Sequence, residues 1–233
     1  MRARVHFTLA GLLLCAGVPA AFPAGLADLS NADAVGGLKD ALLQGSAKAV
    51  SQLGATDGFL ANRKVKIPLP GSLRKAEKGL RMMGYGDQAD ELVTSMNHAA
   101  EMAVKDATPV LTDAVRQMSV QDAKGILTGG DTAATDYFRK TTSETLSKKF
   151  LPIVQKMTAK VKLADQYNAL ASEGMKFGLV KAEDASVDTY VTRKALDGLF
   201  LMIGEEERAI RKDPMGTATG LARKVFGSLG TGP

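Results

Sequence analysis

The sequence predicts an all-α fold: a compact multi-helix domain with one long, buried central helix. Apolar residues recur at three-, four- and seven-residue steps from residue 30 almost to the C-terminus, which is the periodicity of helices that bury one face. No stretch of useful length alternates apolar and polar residues, so no strand is predicted. Because no linker separates two apolar bodies, we expect a single helical domain over residues 25–229.

The first helix and the segment after it have clear boundaries in the sequence. Ser30 is a suitable N-cap for a helix that ends at Gly54, where glycine favours termination. Residues 57–71 are then the one clear irregular stretch. Pro68 and Pro70 exclude both a helix interior and a central strand from the second half of this stretch.

Four helices are predicted over the next part of the chain. Ser72 is the expected N-cap of the second helix, and Asp87 begins the third. Pro109 fits the first turn of the fourth helix, where its missing N–H costs no hydrogen bond. Residues 119–122 open a short fifth helix, which ends at the glycines of positions 129–130.

Two further apolar stripes predict separate helices in the region that follows. Asp131 is the expected cap of the first, and the second is bent or restarted around Pro152. Another helix covers about residues 163–176, and a short one over residues 221–226 lies near the C-terminus. Helices of modest length joined by short turns are typical of a compact domain rather than a coiled coil.

The longest and most apolar predicted helix is capped by Ser186 or Asp188 and runs to Lys212. Its segment 199–203 is apolar all round, so we expect it to be buried on most sides. The charged residues flank this segment: Arg193, Lys194, Asp197, Glu205, Glu206 and Glu207.

These flanking charges have two interpretations. Arg193 and Asp197 are four residues apart and can pair on the helix surface. Glu207 and Arg211 have the same spacing. The charges are therefore either solvated helix ends with ordinary ion pairs or a polar site walled by the core.

The N-terminal residues 1–20 have the pattern of a secretory signal peptide. A short basic start precedes an apolar run over residues 7–18, which is too short for a membrane-spanning helix of about 20 residues. Small residues follow, and cleavage is expected after Ala20 or, less suitably, after Ala24. The expected location is therefore periplasmic or secreted.

Cys15 offers an alternative to simple secretion. A lipoprotein signal would use this cysteine as the lipidated residue and so anchor the protein to a membrane. Such a signal requires a small residue directly before the cysteine, whereas Leu14 is large. The ordinary signal peptide is the better match, and lipid anchoring through Cys15 is kept as the alternative.

Charge and residue counts exclude several classes of function. The formal net charge is +5, and it falls to +3 when the two arginines of residues 1–20 are removed, so no nucleic-acid partner is expected. The removal also leaves His98 as the sole histidine and no cysteine. Metal sites built on histidine or thiolate are then excluded by count, and glutamates 205–207 lack the spacing of a calcium loop, so no metal site is predicted.

Known catalytic and cofactor motifs are missing from the sequence. It contains no P-loop, no dinucleotide fingerprint and no Gly-x-Ser-x-Gly elbow, so no cofactor is predicted. His98 lies in the middle of a predicted helix, where a single histidine is more typical of a surface or packed residue than of a catalytic base.

The irregular stretch carries the most suggestive binding element. Its residues 63–70 combine three cations with a stiff, extended apolar segment, which loses little conformational entropy when it docks. The competing interpretation is that Ile67 and Leu69 fill the core while the cations stay in water.

Three functions follow from these observations. The first is non-enzymatic binding of a hydrophobic or amphipathic ligand, or of a partner protein, in the cell envelope. The candidate binding residues are Arg193, Lys194, Lys64, Lys66, Ile67 and Leu69. The alternative is an enzyme that uses carboxylate acid–base chemistry through Asp197 and either Glu205 or Glu206. The third is peripheral contact with anionic lipid through the basic loop, without a transmembrane span.

Three segments together resemble a known family. They are residues 64–73, with the sequence KVKIPLPGSL, residues 122–138, with DAKGILTGGDTAATDYF, and residues 188–211, which contain DTYVT, KALDGLF and EEE. This set is similar to the bacterial domain-of-unknown-function family 4197, over roughly residues 25–229. The resemblance implies an exported protein of Gram-negative bacteria, and it implies no activity or catalytic residue.

Overall fold

The computed structural model describes residues 31–176, 186–217 and 220–229, and the regular structure in these ranges is entirely helical. The predicted all-α fold is thereby confirmed. The helices are α1 (Asn31–Gly54), α2 (Gly71–Met82), α3 (Gly86–Val104), α4 (Ala107–Gln117), α5 (Val120–Leu127), α6 (Ala133–Thr158), α7 (Lys162–Lys176), α8 (Val187–Lys212), α9 (Pro214–Thr217) and α10 (Gly220–Leu229). The predicted signal peptide, its cleavage sites and Ser30 lie outside the described residues.

Helix α8 is the central helix, as predicted. It packs most extensively on α6, α1 and α3, and both Leu199 and Phe200 are buried. Burial of large apolar side chains on several sides supplies most of the free energy that holds such a helix in place. Leu201 departs from the expectation of all-round burial, because it is 39% exposed and faces a cleft described below.

The predicted start of α5 at residues 119–122 is confirmed, and of the two alternatives for the cap of α8 the structure has Ser186 rather than Asp188. Ser119 accepts a hydrogen bond from the backbone N–H of Asp122, and the Asp122 carboxylate accepts one from the backbone N–H of Ser119, which completes a capping box at the start of α5. Ser186 accepts from the backbone N–H of Thr189 and caps α8. Both serines have extended backbone conformations, as N-cap residues require.

Two other predicted caps are wrong. Helix α2 begins at Gly71, one residue before Ser72, and Pro70 occupies the N-cap position. Helix α6 has Thr132 rather than Asp131 at its N-cap position, with no capping hydrogen bond from that side chain. The start of α6 is instead bonded by the carboxylate of a residue in α8, described below, so a tertiary contact replaces the local cap.

A restart of the helix around Pro152 was one predicted alternative, and it is wrong, whereas a bend there stays a prediction. Helix α6 runs without interruption over Ala133–Thr158, with Pro152 inside it. Pro152 lies on the exposed side of the helix, between the buried positions Phe150 and Val154. A carbonyl that loses its partner to proline on that side can bond to water, so the helix continues.

The irregular segment between α1 and α2 is fixed to the core by polar contacts. Asn97 of α3 is fully buried; its Oδ1 accepts from the backbone N–H of Ile67 at 2.8 Å, and its Nδ2 donates to the carbonyl of Ile67 at 2.9 Å. The Tyr190 hydroxyl of α8 donates to the carbonyl of Pro68 at 3.1 Å. These bonds satisfy backbone N–H and C=O groups that a buried, extended segment would otherwise leave without hydrogen-bond partners.

A glycine lets α8 approach this segment closely. A Cβ built on Gly198 would lie 2.7 Å from Cε1 of Phe59, closer than real contacts of this kind. Phe59 is itself fully buried. Because of this close approach, the irregular segment and α8 lie side by side, and both line the cleft described below.

Candidate functional site

A basic cleft lies where the irregular segment meets α8. It has a volume of about 350 Å³ and is bounded by the loop from Lys64 to Gly71, by Arg74 of α2, and by one face of α8 from Tyr190 to Leu201. The loop contributes Lys64 and Lys66 to this cleft, and α8 contributes Lys194 and Asp197. Four cations and one carboxylate line the cleft, so it favours anions.

The structure divides the predicted loop residues into two groups. Lys64 and Lys66 are exposed and line the basic cleft. Ile67 and Leu69 are buried, at 1% and 3% exposure, and belong to the core. The interpretation in which the apolar residues fill the core is therefore the one that the structure shows, and no flat apolar docking surface is presented by Ile67 and Leu69.

An apolar groove runs along the other side of α8, between α8 and α6. It has a volume of about 440 Å³, and Leu151, Leu196 and Phe200 form its apolar lining. Hydroxyl and charged side chains surround this lining: Arg139, Ser143, Glu144, Ser147, Thr189, Thr192, Arg193 and Asp197. Of these groove residues, only Arg193 and Asp197 are among the candidates predicted from the sequence.

Asp197 lies between the groove and the basic cleft and lines both. Its carboxylate is 3.9 Å from Nη1 of Arg139, 3.9 Å from Nη1 of Arg193 and 3.7 Å from Nζ of Lys194. The predicted pairing of Arg193 with Asp197 is thus present, but these separations exceed those of hydrogen bonds. Arg139 and Lys194 alone outnumber this carboxylate, so the shared edge favours anions.

Two features of the groove are typical of a site built for a ligand. The hydroxyl Oγ1 of Thr192 is buried and has no hydrogen-bond partner among the described residues, and Thr192 as a whole is 4% exposed. An unsatisfied buried hydroxyl is costly in the unbound protein. The guanidinium of Arg139 lies 4.8 Å from the centre of the Phe200 ring, which holds a cation over the apolar lining.

The candidate catalytic carboxylates are not gathered in one of these cavities. Lys64 donates to Oε1 of Glu205 at 2.7 Å, and Lys48 donates to Oε2 of Glu206 at 2.7 Å. Neither glutamate lines the basic cleft or the apolar groove, where Asp197 lies. Acid–base catalysis by two carboxylates requires both beside one substrate, so this arrangement does not support the enzyme hypothesis.

Glu207 holds the most unusual position of the flanking charges. It is 6% exposed, and it accepts hydrogen bonds from the backbone N–H groups of Ala134 and Thr135 at 3.0 and 2.9 Å. The predicted pair with Arg211 is present at 2.8 Å and is largely buried. The interpretation as a solvated helix end therefore fits Glu205, whereas Glu207 is enclosed by the core.

His98 lies in a cluster that the sequence analysis missed. Its Nε2 is 3.2 Å from Oδ1 of Asp57 and 4.0 Å from Oε2 of Glu101. The number of histidines excludes a site made of several histidines, whereas a site made of one histidine and two carboxylates needs only His98. Only the i, i+3 spacing of His98 and Glu101 could have indicated this cluster.

No helix in residues 31–176, 186–217 or 220–229 combines the length and the apolar character needed to cross a bilayer.

The similarity of the chain to known proteins is limited to one family. No curated protein and no solved structure shows significant similarity to the chain. The family model described as "Protein of unknown function (DUF4197)" matches residues 28–227, most of the chain. The resemblance inferred from the three sequence segments is thus confirmed, and the chain belongs to the DUF4197 family of proteins of unknown function.

Proposed function

We propose that the protein is a non-enzymatic binding domain of the cell envelope, and that its groove between α6 and α8 takes an amphipathic ligand with an acidic head group. The observation that carries this proposal is the composition of the groove. The apolar lining, the guanidinium of Arg139 and the side chain of Thr192 lie in one groove, whose edge at Asp197 is shared with the basic cleft that contains Lys194. Small-molecule sites commonly combine an apolar wall with a few convergent polar groups.

The acidic head group follows from the charges at the shared edge. Arg139 and Lys194 lie 3.9 and 3.7 Å from the Asp197 carboxylate, and these two cations alone outnumber its single negative charge. A carboxylate, sulfate or phosphate placed there gains charge-assisted hydrogen bonds from guanidinium groups. A cationic head group would be repelled by the same arrangement.

The apolar tail follows from the lining of the groove. Leu151, Leu196 and Phe200 present apolar surface, and a volume of about 440 Å³ lies within the range of about 300–1,000 Å³ typical of ligand pockets. Each methylene buried there contributes about 0.8 kcal/mol. An alkyl chain therefore supplies affinity, and the head group supplies orientation.

The proposed location rests on the N-terminal sequence alone. Residues 1–20 have the charge, apolar run and small-residue exit of a signal peptide, which supports delivery to the periplasm. Cys15 keeps lipid anchoring open as the alternative route. In either case the binding domain would lie close to membranes, which are a source of amphipathic anions.

Binding can be tested by titrating the protein with dodecanoate below its micelle concentration in a calorimeter. Dodecyltrimethylammonium is the matched probe, because it has the same tail and an opposite charge. We expect dodecanoate to bind at one site per chain and the cation to bind at least tenfold more weakly. Equal affinities for the two would contradict a charge-selective site.

Variants separate the groove from nonspecific binding. Arg139→Gln is expected to weaken dodecanoate binding about tenfold, or ~1.4 kcal/mol, and Ser147→Trp is expected to abolish it by filling the groove. Arg116→Gln is the matched control, since Arg116 is an exposed arginine of α4 outside the groove and should leave affinity unchanged. Equal effects of Arg139→Gln and Arg116→Gln would show that only overall charge matters.

A further inference from the structure

We propose that Asp57, His98 and Glu101 form a binding site for a divalent transition-metal ion of the zinc class. The site lies where the turn after α1 meets α3, and it does not depend on the ligand groove. Asp57 belongs to the turn, whereas His98 and Glu101 lie one turn apart on α3.

The donor atoms are spaced for a common ion. Nε2 of His98 is 3.2 Å from Oδ1 of Asp57 and 4.0 Å from Oε2 of Glu101, and the three donor atoms all lie within 4.8 Å of one another. Zinc lies about 2.0–2.2 Å from nitrogen and oxygen ligands, so two ligands in tetrahedral geometry are separated by about 3.4 Å. Small side-chain adjustments bring all three donors to one ion.

Glu101 is held in place by the backbone of the turn. Its Oε1 accepts from the N–H groups of Phe59 and Leu60 at 3.0 and 3.2 Å, and its Oε2 accepts from the N–H of Asp57 at 3.2 Å. Glu101 is only 5% exposed, so these bonds also satisfy a buried charge. Oε2 uses one of its two lone pairs in this way, and the other is available to a metal ion.

The chemistry of the donors selects the class of metal. Imidazole nitrogen with carboxylate oxygen suits zinc and its neighbours, whereas magnesium and calcium prefer oxygen ligands alone. His98 and Asp57 have side chains that are 39% and 50% exposed, so an ion can enter from solvent. Water completes the coordination, as it does in zinc sites with three protein ligands. A divalent ion also neutralises the two neighbouring carboxylates.

The competing explanation is a metal-free hydrogen bond between His98 and Asp57. It accounts for their separation of 3.2 Å, and the N–H groups of the turn account for the position of Glu101. The two explanations differ in what happens when zinc is added to the protein.

The test is calorimetric titration of the untagged full chain with zinc chloride alone, in a buffer that does not chelate metals. Magnesium chloride is titrated in parallel. We expect one zinc ion per chain and at least tenfold weaker binding of magnesium. A histidine-selective ¹⁵N label should show a changed chemical shift of Nε2 of His98 when zinc binds.

Two variants remove ligands without endangering the fold. His98→Ala shortens a partly exposed helical side chain, and Asp57→Asn keeps a residue type that tolerates the backbone φ of +59° at this position. Each is expected to weaken zinc binding at least tenfold. Asp113→Asn is the matched control, because Asp113 is an exposed carboxylate of α4 outside this cluster and its replacement should leave zinc affinity unchanged.

Circular dichroism without metal establishes that each variant is folded. Should His98→Ala fail to fold, Asp57→Asn decides the question alone. The proposal is overturned if wild-type protein does not bind zinc, which leaves a hydrogen-bonded pair only. It is equally overturned if zinc binds with the same affinity to Asp57→Asn, or to folded His98→Ala.

Discussion

Glu207 shows how a single buried charge can join three helices. Its carboxylate accepts from the backbone N–H groups of Ala134 and Thr135 at the start of α6, and also from the hydroxyl of Thr135 at 2.8 Å. Arg211, its partner within α8, donates to the carbonyl of Ile126 near the end of α5 at 2.9 Å. The negative charge is thereby placed at a helix N-terminus, where the helix dipole favours it.

This arrangement predicts a large effect of Glu207→Gln. The amide keeps the shape of the side chain but leaves the mostly buried guanidinium of Arg211 without its countercharge. We expect the free energy of unfolding to fall by about 3 kcal/mol, as measured by urea denaturation followed by circular dichroism. Glu144→Gln is the control, because Glu144 pairs with Lys148 on the solvent-exposed surface of α6 and should change little. Equal losses in the two variants would show that Glu207 is not a structural anchor.

At the residue scale, the sequence alone predicts only contacts between residues about one helical turn apart. The pair of Glu207 with Arg211 was predicted correctly from a spacing of four residues. The burial of Glu207 was not, because it arises from contacts with residues more than 70 positions away. Asn97 is a similar case: nothing in its neighbourhood in the sequence indicates that its amide bonds the backbone of Ile67.

At the scale of helices, the same distinction explains which boundaries were predicted. Ser119 caps α5 through partners three residues away, so the local pattern was sufficient. The start of α6 lies against Glu207, and this tertiary partner makes a cap at Asp131 unnecessary. Pro152 does not end α6, because the effect of a proline on a helix depends on which face meets solvent.

The capping box of α5 predicts a dependence of stability on pH. The hydrogen bonds from the Ser119 hydroxyl and from its backbone N–H hold the pKa of the Asp122 carboxyl below its ordinary value. A carboxyl with a lowered folded-state pKa stabilises the protein above its unfolded pKa of about 3.9, and this contribution is lost as the pH falls through the folded pKa. Asp122→Asn should therefore lower the melting temperature at pH 6, and the difference from wild type should shrink below about pH 4.

Thermal unfolding over this pH range, followed by circular dichroism, provides the measurement. Asp131→Asn is the matched control, since Asp131 is an exposed carboxylate near the start of a helix that it does not cap. It should change the melting temperature little at any of these pH values. A difference between Asp122→Asn and wild type that stays constant from pH 6 to pH 3 would refute the assigned cause.

At the scale of the whole molecule, stability should be unevenly distributed. Helix α8 packs on α6, α1 and α3 and carries fully buried residues such as Leu199. Helix α2 packs chiefly on α3 and ends at Met82. Met82 and the C-cap residue Met83 are among the most exposed large apolar residues in the described ranges. The sequence predicted both helices and the central position of α8, but it did not predict the peripheral position of α2, because helix partners are brought together from distant parts of the chain.

Hydrogen exchange followed by mass spectrometry can measure that distribution. Amides of α8 around Leu199 should exchange only through global unfolding, because opening this helix exposes the centre of the core. Amides of α2 should exchange much faster, and their rates should be insensitive to low urea concentrations, since local opening exposes little surface. Helix α4 is the matched control: it has 11 residues against 12 in α2, yet it packs on both α1 and α6 and should be better protected. Equal protection of α2 and α8 would mean that the domain opens as one unit and that the peripheral packing of α2 has no energetic consequence.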